Sequence, residues 1–85
     1  MINQRENYVT WALLLHELED AREHLENLIR EMSNGGEINE ADFRVDLGHV
    51  YAHLNRAWNG RNEADEPNSE LWEAQSQLPN DLEMM

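Results

Sequence analysis

Two apolar stripes of helical period, separated by a glycine pair, constrain this chain more than any other feature. Trp11, Leu14, Leu18, Ala21, Leu25, Leu28 and Met32 recur in alternating steps of three and four. Phe43, Leu47, Val50, Leu54 and Ala57 do the same. This spacing lines one side of an α-helix. Asn34-Gly35-Gly36 lies between them and reads as a helix stop, with Gly35 the natural left-handed residue. A connection of about six residues makes the helices antiparallel neighbours.

The caps sharpen the boundaries. Asn3 and Glu6 have capping-box spacing, so the first helix is expected over about 4–32. Asn39 caps the second, expected over about 40–58, with Glu40 and Asp42 supplying negative charge to its first turn. Residues 61–68 read as a polar, acidic linker. Residues 69–78 read as a short helix stopped by Pro79, and 79–85 as a loose tail. The fold class is therefore all-α: a hairpin of two long amphipathic helices, residues 1–60, with a short third C-terminal helix.

Length argues for more than a lone hairpin. An 85-residue chain buries only about 60–65% of the surface its unfolded form exposes. The first helix is longer than the second by roughly 13 Å. Its N-terminal turns are apolar on more than one side, with Val9, Ala12 and Leu13 beside Trp11. A helix apolar nearly all round seeks burial on a second side. Either the Trp72 segment or a second copy covers it, and the expected assembly is a homodimer forming a four-helix bundle. The register places Trp58 near Trp11 and Leu14, predicting a tryptophan-rich end to the core. Gly48, mid-helix, predicts a close helix approach.

Charge excludes several partners. Eighteen acidic residues face six arginines and no lysine, giving a net charge of −12. Direct nucleic-acid contact needs a basic face, and so does an anionic membrane. A basic protein is the charged partner such a chain attracts. No apolar run approaches the roughly 20 residues of a membrane span. The absence of cysteine removes disulfides and thiolate zinc sites. The polar start, Met1 to Glu6, lacks the apolar core of a signal peptide. Together these point to a cytoplasmic setting.

Candidate chemistry is confined to one flank. His49 and His53 are one turn apart, and antiparallel pairing brings His24 and Asp20 alongside them, with Asp46 near. Such a His/carboxylate cluster has the donor types of a divalent metal site in a helical bundle. The Glu-x-x-His pairs of bundle di-metal sites are missing, so a polar rim is the plainer reading. No phosphate-cradling glycine loop, nucleophile elbow or cysteine nucleophile is present, so neither a cofactor nor an enzymatic activity is expected. Arg56, Trp58 and Arg61, with Asn55, Asn59 and Asn62, form an unusual polar stretch. It reads as a recognition patch or as a helix C-terminus whose arginines favour the dipole. Candidate interaction residues are thus Val9, Trp11, Leu13, Arg56, Trp58, Arg61 and Trp72.

Three functions remain. The first is a non-enzymatic protein–protein interaction module. The second is an acidic nucleic-acid mimic that inhibits a DNA- or RNA-binding protein. The third is a metal-binding helical-bundle protein. Mimicry wants acids in rows on one face, whereas the second helix is nearly balanced, with Arg44 and Arg56 against Glu40, Asp42 and Asp46.

Overall fold

A computed structural model describes residues 1–84 of the chain. It contains three helices: α1 (Tyr8–Gly35), α2 (Glu40–Asn59) and α3 (Ser69–Gln75). The two long helices pack against each other, and α3 packs on α2. The final residue of the tail, Met85, lies outside the described residues.

Asparagines start every helix. Asn7, Asn39 and Asn68 each accept a backbone N–H with the side chain, from Thr10, Ala41 and Leu71 respectively. Helix α1 starts four residues later than the Asn3 capping box suggests. Asn3 instead closes a local turn, accepting from the Arg5 N–H at 2.8 Å. Asn7 wins because its amide works at both ends. Its oxygen caps Thr10 at 3.1 Å, and its nitrogen donates to the Glu63 carbonyl at 3.2 Å. A long-range tie is invisible to a local capping rule.

The helix also runs three residues past its expected end at Met32, and its left-handed stop falls one residue later than expected. Gly35 stays helical, and Gly36 takes the left-handed conformation at φ 72°, donating its N–H to the Met32 carbonyl. Helix α3 is shorter than expected, because its last turn is closed by Ser76, which donates its hydroxyl to the Trp72 carbonyl at 2.8 Å.

The apolar stripes do not form one seam. Each divides into two heptad series. Leu14, Ala21 and Leu28 face α2, and Phe43, Val50 and Ala57 face α1; Ala21, Leu28 and Val50 are buried. The other series, Leu18, Leu25 and Met32 on α1 with Leu54 on α2, is exposed; Leu18 keeps 48% of its surface. The reason is a third series that is polar. Thr10, Glu17 and His24 share one heptad position in α1, and Asp46, His53 and Gly60 share one in and just after α2. Thr10 is buried, and Glu17 bonds to His53 at 3.0 Å across the seam. Pairing these polar groups rotates both helices by roughly 50° relative to an apolar-only seam, since each residue advances about 100°.

The overhang of α1 is covered by the linker. The Thr10 hydroxyl and the Asn7 amide both donate to the Glu63 carbonyl, just past the end of α2. Trp72 covers the overhang only in part: it lines a cavity with Leu13 and Leu14 yet stays half exposed beside Arg56. Among the described residues no tryptophan ring stacks on another, and Trp58 and Trp72 each lie against an arginine. Among those same residues, no helix is long and apolar enough to cross a membrane.

Gly48 marks no close approach: a Cβ there would meet open space. The tight glycine is Gly60, where a Cβ would lie 2.9 Å from the Arg56 carbonyl and 3.3 Å from Gln75 Oε1. The two positions should therefore respond oppositely to alanine. Gly48→Ala is expected to stabilise by about 0.5–1 kcal/mol through helix propensity. Gly60→Ala is expected to destabilise by about 1–2 kcal/mol, because backbone must shift. Paired thermal melts check both signs.

Candidate functional site

Among the described residues, buried charge is confined to one place. Arg56 is 8% exposed, although it sits in a chain with a net charge of −12. Its Nε donates to both oxygens of Glu17, at 3.1 and 3.0 Å. Its Nη1 donates to the Ser76 hydroxyl at 2.9 Å, and the guanidinium carbon lies 4.3 Å from the centre of the Trp72 ring. His53 completes the group, with Nδ1 at 3.0 Å from Glu17 and 2.9 Å from Arg56 Nη2. One ring nitrogen cannot donate to the first and accept from the second at once. Glu17 and Arg56 therefore compete for Nδ1, which donates to the carboxylate in one tautomer and accepts from the guanidinium in the other.

The three sequence-predicted histidines do meet. The His24 ring lies 5.2 Å from that of His53, stacked, and 5.3 Å from that of His49, tilted. This follows from the antiparallel register and from the share of the seam that polar side chains occupy. Asp46 is half buried and Asp20 exposed. Among the described residues no three His, Asp or Glu side chains converge closely enough to hold a metal ion. His53 is already spent on Glu17.

The asparagines of the polar stretch turn inward. Asn55 donates to the Ser76 carbonyl at 2.9 Å, and Asn59 donates to the carbonyls of Gln75 and Gln77 at 2.8 and 2.9 Å. The last carbonyls of a helix lack intrahelical partners. Here α2 supplies those partners to α3 from positions i and i+4 of one face. The run Asn55-Arg56-x-x-Asn59 is thus an internal clasp for α3.

Arg61 and Trp58 make a separate, exposed arrangement. The Arg61 guanidinium lies 3.7 Å over the Trp58 ring and donates to the Trp58 carbonyl at 2.7 Å. The Trp58 indole N–H donates to Asp81 at 2.8 Å, and Arg61 lies 3.5 Å from the same carboxylate. The hydrogen bond from Trp58 above all, with help from its own backbone and from Arg61, holds the Asp81 carboxyl below the ordinary aspartate value. Part of the tail is thereby tied to the end of α2.

Between α1, the linker and α3 lies a cavity of about 150 Å³. Leu13, Leu14, Pro67 and Trp72 give it apolar walls, and Arg56 and Gln75 line its inner side. Gln75 is buried, and its Nε2 has no hydrogen-bond partner among the described residues. Sequence reasoning missed Gln75, because a glutamine at the end of a short polar helix carries no pattern of its own. Of the remaining candidate interaction residues, Val9 is exposed and Trp11 half buried.

On the opposite flank of the hairpin lies an apolar face. The helical phases of Leu18, Leu25 and Ile29 in α1 and of Tyr51 and Leu54 in α2 fall about a quarter turn from the seam, toward the same side of an antiparallel pair. All five are exposed. No family model matches the chain, and no significant match exists among curated proteins or solved structures.

Two outcomes follow. Glu17→Ala leaves a buried guanidinium unpaired and should cost about 2–3 kcal/mol in chemical denaturation, more than a surface charge deletion. Asp81, lowered in the folded state, contributes stability above the ordinary aspartate pKa that is lost as pH falls through its depressed value. The Trp58 indole proton in NMR should therefore hold its shift down to about pH 4 and move only below it.

Proposed function

We propose that this chain is a non-enzymatic interaction module whose apolar face pairs with a second copy of itself, completing a four-helix bundle. The observation that carries this reading is the exposed series Leu18, Leu25, Ile29, Tyr51 and Leu54, on one side of the hairpin. Monomers rarely leave so long an apolar surface in water. The hairpin buries few hydrophobic side chains of its own, notably Ala21, Leu28 and Val50. Small all-helical chains gain the missing burial by association.

A second copy fits better than an unlike partner because the face is close to neutral. It is bordered by Arg22 and Arg44 on one hand and by Glu19, Glu26 and Glu40 on the other. Arg22 already pairs with Glu26 at 3.8 Å. Two arginines against three glutamates is a far milder imbalance than the −12 of the whole chain. Two-fold pairing sets the stripe of one copy on the stripe of the other and keeps the acidic surfaces apart. A basic protein would dock instead on the acidic surface, which the same dimer leaves free.

Light scattering coupled to size exclusion tests this. The expected mass is twice the chain's 10.0 kDa. Leu18→Glu with Ile29→Glu should shift the mass to that of one chain while helical circular dichroism persists. A monomer at millimolar concentration contradicts the proposal.

A further inference from the structure

The cavity beside α3 holds an unmet demand that the interaction reading does not use. Gln75 is 6% exposed, lines the cavity, and keeps Nε2 without a partner among the described residues. Buried polar groups are nearly always hydrogen-bonded, so a lone amide beside a cavity points to a guest that completes it. We propose that this cavity binds a small organic cation built on one planar ring, which pairs its polar atom with the Gln75 carboxamide.

Size, walls and charge each restrict the guest. A void of about 150 Å³ is the scale that holds a single benzene-sized ring. Trp72 offers a broad aromatic wall, and Leu13, Leu14 and Pro67 close the rest with apolar atoms. These surfaces favour a flat apolar body. The charges lining the cavity are Glu17, Glu63, Asp65 and Glu66 against Arg56. Arg56 and Glu17 bond to each other at 3.0 Å, so those two cancel. Three carboxylates on the linker remain, and they reject an anion and attract an ammonium group. The carboxamide can present either its NH2 or its oxygen after rotation, so the guest's polar atom serves best as a hydroxyl, which both accepts and donates.

The linker that carries the carboxylates is anchored for this task. The Glu63 carbonyl accepts from Asn7 and Thr10, which fixes the cavity's outer wall to α1. The cavity lies on the flank opposite the apolar face, so occupancy does not require pairing of two copies.

Tyramine is the probe, with phenethylamine lacking the hydroxyl and 3-(4-hydroxyphenyl)propionate reversing the charge. Titrated into the full-length protein and followed by NMR, tyramine should bind saturably and shift the Gln75 side-chain and Trp72 indole signals. Phenethylamine should bind about tenfold more weakly, as expected when a buried hydrogen bond is lost, and the propionate should not bind. Gln75→Leu should weaken tyramine about tenfold without lowering the unfolding temperature, because it removes an unpaired buried amide. The triple variant Glu63→Gln, Asp65→Asn, Glu66→Gln retains the surface and should also weaken tyramine at low salt; it serves if the first variant misfolds. Absence of saturable binding overturns the proposal, as does equal binding of the propionate, or undiminished tyramine affinity in either folded variant. Failure here leaves the mass of the assembly unchanged and so is distinct from failure of the interaction reading.

Discussion

A buried guanidinium cannot be left without a counter-charge, and in this chain that demand organises the rest. Arg56 takes Glu17 from α1, the Ser76 hydroxyl from the end of α3, and the Trp72 ring as a lid. One side chain thereby fixes three helices. Arginine suits the position because its planar fork can satisfy several partners while its face stacks on an aromatic ring. Removing any one partner is costly, since the charge has no water to turn to. The clasp of Asn55 and Asn59 on carbonyls at the end of α3 extends the same contact toward the C-terminus of α2.

This constraint also explains why the hydrophobic residues are divided as they are. Glu17 and His53 can meet only if their heptad position faces the partner helix. That choice turns Leu18, Leu25 and Leu54 out of the seam. An apolar-only pairing would bury those leucines and leave the charges outside, but it would not hold α3. The molecule thus trades burial within one chain for a fixed third helix, and the leucines released from the seam stay exposed.

Much of this architecture was legible in the sequence. The alternating steps of three and four gave two antiparallel helices, Asn39 marked the start of the second, and register brought His24 beside His49 and His53. The phase of the seam was not legible, because hydrophobic periodicity counts only apolar residues. A stripe containing two heptad series looks like one. The repeat of Thr10, Glu17 and His24 in step with Asp46, His53 and Gly60 carried the missing signal. Asn7 and Gln75 were missed for a different reason: their partners lie in the linker or border a cavity, and neither is encoded by local spacing. Gly60 rather than Gly48 proved the crowded glycine because the end of α2, not its middle, receives another element.

The division of the stripe into an inner and an outer series makes a definite claim about who touches whom. Isotope-filtered NOE spectroscopy on a mixture of labelled and unlabelled chains reads it directly. The account predicts intermolecular contacts from the methyl groups of Leu18, Leu25, Ile29 and Leu54, while Ala21, Leu28 and Val50 show contacts only within their own chain. Intermolecular contacts at Ala21, Leu28 and Val50 instead, or none at any methyl group, would contradict it.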